Sequence, residues 1–154
     1  MLTVKAFLKD EKGLYCEPKK RIRFFYEIGK TYEIPREKVK ICEYGFHASA
    51  NCDISETIRY YLNVKKNHYC LVELDVVKEK EDKVVGNKIK IIRELSLEEC
   101  VEYDKTGEWC YRSARDIGGI DKEPLIKAII EKDKTGEWCY RAARDIQGID
   151  KEQL

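Results

Sequence analysis

The chain has 154 residues, of which 43% are apolar and 38% are charged. Its 30 lysines and arginines nearly balance its 29 aspartates and glutamates, which excludes a long-range positive field that would draw the whole protein to nucleic acid or to an anionic membrane. It has no run of about 20 apolar residues, as a membrane span requires, and no secretory signal pattern at MLTVKAFLKD, so we expect a globular cytoplasmic protein.

The seven cysteines follow no disulfide or metal-binding spacing. They are odd in number and include no Cys-x-x-Cys pair, whereas disulfide frameworks and zinc ribbons use paired cysteines. We therefore expect free thiols and no metal site. Cys110 and Cys139 are predicted to act as small apolar core residues.

Residues 1 to about 95 are predicted to form strands with one main helix. Along the first strand, one buried set of side chains is predicted to alternate with one solvent-facing set, as in a half-buried strand: Leu2, Val4, Ala6 and Leu8 alternate with Thr3, Lys5, Phe7 and Lys9. Residues 10–13 supply a turn. A charged turn is predicted over 78–83. Further strands are predicted at 21–26, 31–34, 38–42, 69–77 and 84–95.

The main helix is predicted to begin after Asp53. Asp53 can cap it, and Glu56 stands three residues further on, as a capping box requires. Its apolar stripe consists of Ile54, Ile58, Tyr61 and Leu62. The sequence therefore predicts a small α+β domain over residues 1–100 with a mostly antiparallel sheet.

The C-terminal third, residues 101–154, contains a tandem repeat with a period of 29 residues. Residues 104–125 recur at 133–154 with three differences, and a period of this length marks units that bury their apolar faces against each other. A capping box at Ser96–Glu99 leads into the array, and each repeat is predicted to be a helical hairpin with its first helix over 108–117. The second copy stops early in its second helix, so its open end could dock on a partner or form a homodimer.

The segment 43–49 has the strongest character of a binding site. It places the imidazole of His47 and the hydroxyl of Ser49 two residues apart, beside Gly45 and Phe46 and before a helix N-terminus, which favours anions. This arrangement could hold the phosphate of a small nucleotide-like ligand. The alternative is structural: His47 is a hydrogen-bonded residue at a strand end, and Ser49 belongs to the turn.

Two other groups of residues suggest binding surfaces. Cations at Lys19–Arg23 precede three aromatic residues, the mixture that contacts phosphates and stacks on bases, although a solvated strand face has the same pattern. The repeats carry residue types that are enriched at interface hot spots: Trp109, Tyr111, Arg112, Arg115, Trp138, Tyr140, Arg141 and Arg144. The alternative is that these Trp and Tyr side chains fill the core between helices while the Arg side chains pair with Asp116, Asp145 and nearby Glu residues.

Four segments together resemble an uncharacterised domain found in phage and prophage proteins: residues 4–7, 26–33, 42–48 and 88–96 (VKAF, YEIGKTYE, CEYGFHA and KIKIIRELS). The resemblance covers roughly residues 1–100 and implies no established activity. Relatives of that domain are often followed by repeats, and the helical repeat here is similar to short repeats of bacterial and phage proteins.

The layout of residues 45–49, 60–61 and 71–76 is also similar to that of the ADP-ribosyltransferase fold. That resemblance implies NAD as cofactor, a pocket shaped by His47, Ser49 and Tyr60, and a ribose oriented by Glu73 or Glu94. The first strand departs from the enzymes, because it carries Lys-Ala-Phe at positions 5–7 where they have Arg or His followed by Gly.

Our first expectation for the function is a non-enzymatic interaction module of phage or bacterial origin, which binds a protein or a small nucleotide-like ligand without a cofactor. The alternative is an NAD-using, ADP-ribosyltransferase-like enzyme. The third possibility is a nucleic-acid-binding protein that uses residues 19–23.

Overall fold

A computed structural model describes residues 1–16, 24–60, 63–146, 148 and 154. The predicted α+β class is confirmed: a curled antiparallel sheet is followed by several helices. The strands are β1 (Leu2–Asp10), β2 (Gly13–Tyr15), β3 (Phe25–Tyr26), β4 (Thr31–Glu33), β5 (Phe46–Ser49), β6 (His68–Lys80) and β7 (Lys83–Glu94). They follow the order β3-β2-β1-β6-β7-β4 in the sheet, and β5 pairs with the same edge of β7 as β4 does.

The long hairpin β6–β7 is the centre of the sheet. Its pairing runs from Cys70 opposite Glu94 to Lys80 opposite Lys83, with three shifts of register along the way. Such irregularities increase the twist of a sheet. The turn contains only Glu81 and Asp82, so it is shorter than the predicted turn over 78–83, because the charged residues before it continue the strand.

Strand β1 is buried on both faces, which corrects the prediction of a half-buried strand. Val4 and Ala6 pack on the helical side of the sheet. The side chains predicted to face solvent are also buried: Thr3, Lys5 and Phe7 are 0%, 6% and 0% exposed. The sheet curls until β1 lies beside β5, and this contact covers the second face.

The predicted strand over 38–42 is wrong. A short 3-10 helix covers Arg36–Lys38 instead, and it is followed by an isolated bridge between Lys40 and Tyr44. Pro35 cannot donate a ladder hydrogen bond. Cys42 adopts a φ of 68°, which a strand does not allow. Of the predicted strand 21–26, Phe25–Tyr26 form β3, and 21–23 lie outside the described residues.

The main helix is much shorter than its apolar stripe predicts. Helix α1 spans Ile54–Thr57, and positions 61 and 62 of the stripe lie outside the described residues. Asp53 caps the helix as predicted, since its Oδ1 accepts a 3.0 Å hydrogen bond from the Ser55 amide. The capping box is absent, because the Asp53 amide donates to Ser49 Oγ rather than to Glu56.

The C-terminal region contains four described helices: α2 (Leu97–Tyr103), α3 (Glu108–Asp116), α4 (Glu123–Lys132) and α5 (Glu137–Asp145). The capping box of Ser96 and Glu99 is confirmed at the start of α2. Helices α3 and α4 belong to the first copy and pack on each other, and α5 of the second copy packs on both. The predicted second helix of the second copy falls largely on positions 149–153, outside the described residues.

One aspartate at the start of each copy organises the helix that follows. Asp104 accepts hydrogen bonds from the amides of Thr106, Gly107 and Cys110 at 3.2, 3.0 and 2.8 Å. Asp133 accepts the equivalent three bonds in the second copy. A carboxylate that satisfies amides at a helix N-terminus stabilises that terminus. The shared sequence Asp-Lys-Thr-Gly therefore acts as a helix start signal.

The apolar core consists of two clusters on opposite faces of β1 and β6. Val72 and Leu74 pack with Phe7 and the residues inside the curl. Tyr69 and Leu71 pack on the other face, in a cluster that continues without interruption into α1, α3 and α4. The two regions on either side of residue 100 thus share one core cluster, while the division into domains 1–100 and 101–154 stays a prediction.

Candidate functional site

A cavity of about 370 Å³ opens where β1, β5, α1 and the turn between β6 and β7 meet. Among the described residues, its wall combines two cationic side chains with carboxylates, thiols and tyrosines. The lining residues that bear on its chemistry are Lys5, Cys16, Tyr26, Cys42, Glu43, Gly45, His47, Ser49, Glu56, Tyr60, Asp82 and Lys83. Of the ligand residues predicted from the sequence, Gly45, His47 and Ser49 line it. Phe46 does not; it is buried in the core inside the curl.

Both ring nitrogens of His47 are bonded to the backbone. The Cys42 amide donates a 2.8 Å hydrogen bond to Nε2, and Nδ1 lies 3.1 Å from the Gly45 carbonyl. Because an amide can only donate and a carbonyl can only accept, Nδ1 carries the proton and the imidazole is neutral in this arrangement. The structural alternative for His47, a hydrogen-bonded residue on a strand, matches this geometry.

Gly45 lets the chain turn tightly into β5. Its φ is +134°, and a Cβ at this position would lie 2.5 Å from Cγ2 of Val85. A glycine is therefore required both by the backbone conformation and by the space available. The turn holds the Gly45 carbonyl next to the imidazole of His47.

Ser49 and Glu56 belong to one buried network. Ser49 Oγ donates a 2.5 Å hydrogen bond to Oε1 of Glu56 and accepts a 2.9 Å bond from the Asp53 amide. The amide and the side-chain nitrogen of Asn51 each donate to Glu56 at 2.8 Å. Glu56 is thus held by three neutral donors, and sequence reasoning missed this role by assigning Glu56 to a capping box.

Tyr60 lies at the rim of the cavity in a second cluster. Its hydroxyl donates a 2.9 Å hydrogen bond to Oδ1 of Asp82, and Arg59 forms a 2.6 Å ion pair with Oδ2. Partial burial raises the pKa of Asp82, but the hydrogen bonds and the Arg59 charge outweigh it and hold this pKa below its usual value. The ammonium group of Lys83 lies 4.4 Å from the centre of the Tyr60 ring.

Lys5 is the buried cation of the site. It is 6% exposed, and its ammonium group donates to the His47 carbonyl. Two residues earlier on β1, the Thr3 hydroxyl donates a 2.7 Å bond to the Ser49 carbonyl. Side chains of β1 therefore join it to the backbone of β5. No carboxylate among the described residues lies within ion-pair distance of Lys5, and the alternating pattern of β1 gave no sign of this burial.

The two glutamates suggested as catalytic residues lie outside the cavity. Glu73 is exposed and pairs with the N-terminal ammonium group at 3.3 Å. Glu94 is exposed and bonded to His68. The structure therefore does not bring Glu73 or Glu94 together with His47, Ser49 and Tyr60. Within the described ranges, the acidic side chains that line the cavity are those of Glu43, Glu56 and Asp82.

The seven cysteines are all free thiols. Cys16 and Cys42 line the cavity and are half-buried. Burial raises the pKa of Cys70 and of Cys100 to about 12. Cys110 is fully buried in the core, as predicted, and burial raises its pKa as well. Its counterpart Cys139 is only half-buried.

The aromatic and arginine residues of the repeats do not form one surface. Trp109 and Tyr111 are 2% and 1% exposed, which matches the alternative in which these side chains fill the core between helices. Trp109 packs edge-on against Tyr69 of the sheet, and Tyr111 lies beneath Trp138. Arg112 pairs with Glu108, Arg115 with Asp116, Arg141 with Glu137 and Arg144 with Asp145. Tyr140 is 68% exposed.

The predicted nucleic-acid surface at Lys19–Arg23 lies outside the described residues. Within the described part of the chain, no helix has the length and apolar character needed to cross a membrane. In that same part, no group of three or more His, Cys, Asp or Glu side chains is arranged to hold a metal ion.

Comparison with known proteins identifies the family of the first two thirds of the chain. Residues 1–103 match the family described as "Domain of unknown function (DUF7666)", and the chain belongs to this family. No curated protein and no solved structure matches it. The prediction of an uncharacterised domain at the N-terminus is thus confirmed. The matched region contains every described residue that lines the cavity and ends one residue before Asp104.

Proposed function

We propose that the chain is a binding module whose cavity takes a small nucleotide-like ligand with an anionic group. The observation that carries this proposal is Lys5, a cation that lines the cavity and is only 6% exposed. Its hydrogen-bond acceptor is the His47 carbonyl, and no described carboxylate lies within 4.0 Å of it. Burying a cation without a counter-ion is costly. A phosphate or carboxylate of a ligand would offset that cost.

The size and remaining lining of the cavity support the same class of ligand. A volume of about 370 Å³ falls in the range of roughly 300–1,000 Å³ that is usual for small-molecule sites. Lys83 adds a second cation. Although desolvation lowers its pKa, the contacts with Cys42 and Tyr60 outweigh this effect and raise it, so Lys83 is charged at neutral pH. Tyr26 and Tyr60 line the cavity and offer aromatic surface to a ring.

The hydrogen bonds favour binding over catalysis. His47 would have to break its bond with the Cys42 amide before Nε2 could accept a proton from a substrate. The Ser49 hydroxyl is engaged with Glu56 and with the Asp53 amide. The ADP-ribosyltransferase alternative has no specific observation in its favour, because Glu73 and Glu94 lie outside the cavity. We place the binding activity in the cytoplasm of a bacterial or phage-infected cell, without a cofactor.

The proposal is tested by titration calorimetry with three probes: AMP, adenosine and inorganic phosphate. We expect AMP to bind at one site, more tightly than either of its halves. Lys5→Met should weaken AMP binding at least tenfold, since it removes the buried charge and keeps the side-chain length. Lys9→Met is the matched control on the exposed part of the same strand and should bind like the parent chain. Absence of binding by all three probes, or equal affinity of Lys5→Met, contradicts the proposal.

A further inference from the structure

The two copies of the repeat place the same tyrosine in opposite environments. Tyr111 of the first copy is 1% exposed, its hydroxyl donates a 2.5 Å hydrogen bond to Asp145, and its ring centre lies 5.7 Å from that of Trp138. Tyr140, one period later, is 68% exposed. Its hydroxyl has no hydrogen-bond partner among the described residues. The surface around the tyrosine is therefore covered on the first copy by the second copy, whereas the same surface of the second copy is exposed.

The contact between the copies has a direction. The first copy contributes Tyr111, which we call the trailing face, and the second copy contributes Trp138 and Asp145, which we call the leading face. A trailing face is recognised by the leading face of the next unit, as in other linear arrays. The contact is also charge-complementary. The Tyr111 hydroxyl donates a hydrogen bond to Asp145 of the second copy and accepts a 3.2 Å bond from Arg115 of the first copy.

A second copy of this chain cannot cover Tyr140 in the same way. The leading face of its second repeat is already occupied by Tyr111. Trp109, which belongs to the leading face of its first repeat, packs against Tyr69 with ring centres 6.0 Å apart. In the part of the chain that the structure describes, the trailing face of the second repeat is thus open, and neither leading face is open. The occupant must be a repeat unit whose tryptophan and aspartate are free.

We propose that the face of α5 around Tyr140 is a docking site for one further unit of the same 29-residue repeat. The tryptophan of the incoming unit would stack on the Tyr140 ring, as Trp138 does on Tyr111. Its aspartate would accept the Tyr140 hydroxyl beside Arg144, whose guanidinium carbon lies 5.8 Å from the Tyr140 ring centre. This inference does not depend on the cavity or its ligand.

The test is a fluorescence polarisation titration of the full chain against a labelled peptide with the sequence of residues 133–154. A version of the peptide stapled into a helix is titrated beside it, so that the cost of folding the peptide does not hide the interaction. We expect saturable binding of the stapled peptide, weakened roughly tenfold by Tyr140→Phe, as for a hydrogen bond to a charged group. Tyr44→Phe is the matched control, since Tyr44 is 48% exposed on the sheet domain.

A double-mutant cycle separates docking from nonspecific helix binding. Replacing the peptide aspartate at the position of Asp145 by Asn should weaken binding to the parent chain, and should have little further effect on Tyr140→Phe. Absence of saturable binding by both peptides overturns the proposal, and so does an equal effect of the peptide substitution on both chains. If ultracentrifugation shows a dimer of the parent chain and Tyr140→Phe dissociates that dimer, the proposal is wrong and the face around Tyr140 mediates self-association instead.

Discussion

The hydroxyl of Ser55 donates a 2.6 Å hydrogen bond to Oδ1 of Asp104. Ser55 belongs to α1, which carries Glu56 and Thr57 into the cavity wall, and Asp104 begins the first repeat. The Lys105 amide adds a 3.1 Å bond to Asp53, the cap of α1. The first repeat therefore supports the element that shapes the site, although the family match ends just before it.

We expect Asp104→Ala to destabilise the chain far more than Asp133→Ala. Asp104 is 0% exposed and accepts three amides plus the Ser55 hydroxyl, all of which would lose their partner. The expected loss is about 3 kcal/mol or more of unfolding free energy, because buried donors are left unsatisfied. Asp133→Ala removes a cap that is partly exposed and should cost about 1 kcal/mol.

Urea unfolding followed by circular dichroism measures both changes. Equal losses in the two variants would mean that the bond to Ser55 contributes nothing beyond the shared helix start. A further titration of AMP against both variants shows whether the first repeat also affects the cavity.

Gly45→Ala should be more damaging than Gly29→Ala. Both glycines have positive φ, but a Cβ at Gly45 would lie 2.5 Å from Val85, whereas nothing lies within 4 Å of a Cβ at Gly29. Gly29→Ala is expected to lose about 1 kcal/mol through backbone strain alone, and Gly45→Ala about 1–3 kcal/mol more through overpacking. Thermal unfolding of the two variants checks the difference; similar melting temperatures would show that Val85 moves aside freely.

Local patterns predicted the parts of the fold that depend on local physics. Ser96 and Glu99 form the expected capping box because both partners lie within one helical turn. The two strands of the β6–β7 hairpin were recognised from their apolar and β-branched residues. The failure over 38–42 has a local cause as well: the positive φ of Cys42 was not recognisable from its residue type.

The site itself could be predicted only in part, because it is built by contacts between distant segments. Lys5 looked like a solvent-facing residue, yet its partner, the His47 carbonyl, lies 42 positions away across the curl of the sheet. Glu56 had the right spacing for a capping box, but Ser49 and Asn51 take its oxygens. His47 and Ser49 line the cavity, but their hydrogen bonds with the backbone and with Glu56 depend on the folded chain.

Alkylation of the thiols should follow their burial. The thiolate is the reactive form, and with a pKa of about 12 only about one in 10⁴ of the thiols at Cys70 and Cys100 is ionised at pH 8. We expect iodoacetamide to modify the half-buried Cys16 and Cys42 before the buried Cys70 and Cys100, as measured by peptide mass spectrometry over time. Saturating AMP should slow modification of Cys42 and leave Cys139 unaffected, because Cys139 lies outside the cavity. Early modification of Cys100 would show that the core opens readily.

The contribution of Asp82 to stability should disappear in acid. Its pKa is lower in the folded chain than in the unfolded chain, because the bonds from Tyr60 and Arg59 outweigh the effect of burial. The Asp82 carboxyl therefore binds a proton more readily in the unfolded chain than in the folded chain. Its stabilisation of the fold is complete above the unfolded pKa of about 3.9 and is lost as the pH falls through the folded pKa. The unfolding free energies of the parent chain and Asp82→Asn should differ by a constant amount between pH 5 and pH 7, and the difference should shrink below about pH 4. Asp75→Asn, an exposed carboxyl on β6 without a bonded partner among the described residues, is the control and should show little difference at any pH. A difference for Asp82→Asn that grows on acidification would mean that burial, rather than Tyr60 and Arg59, dominates the environment of this carboxyl.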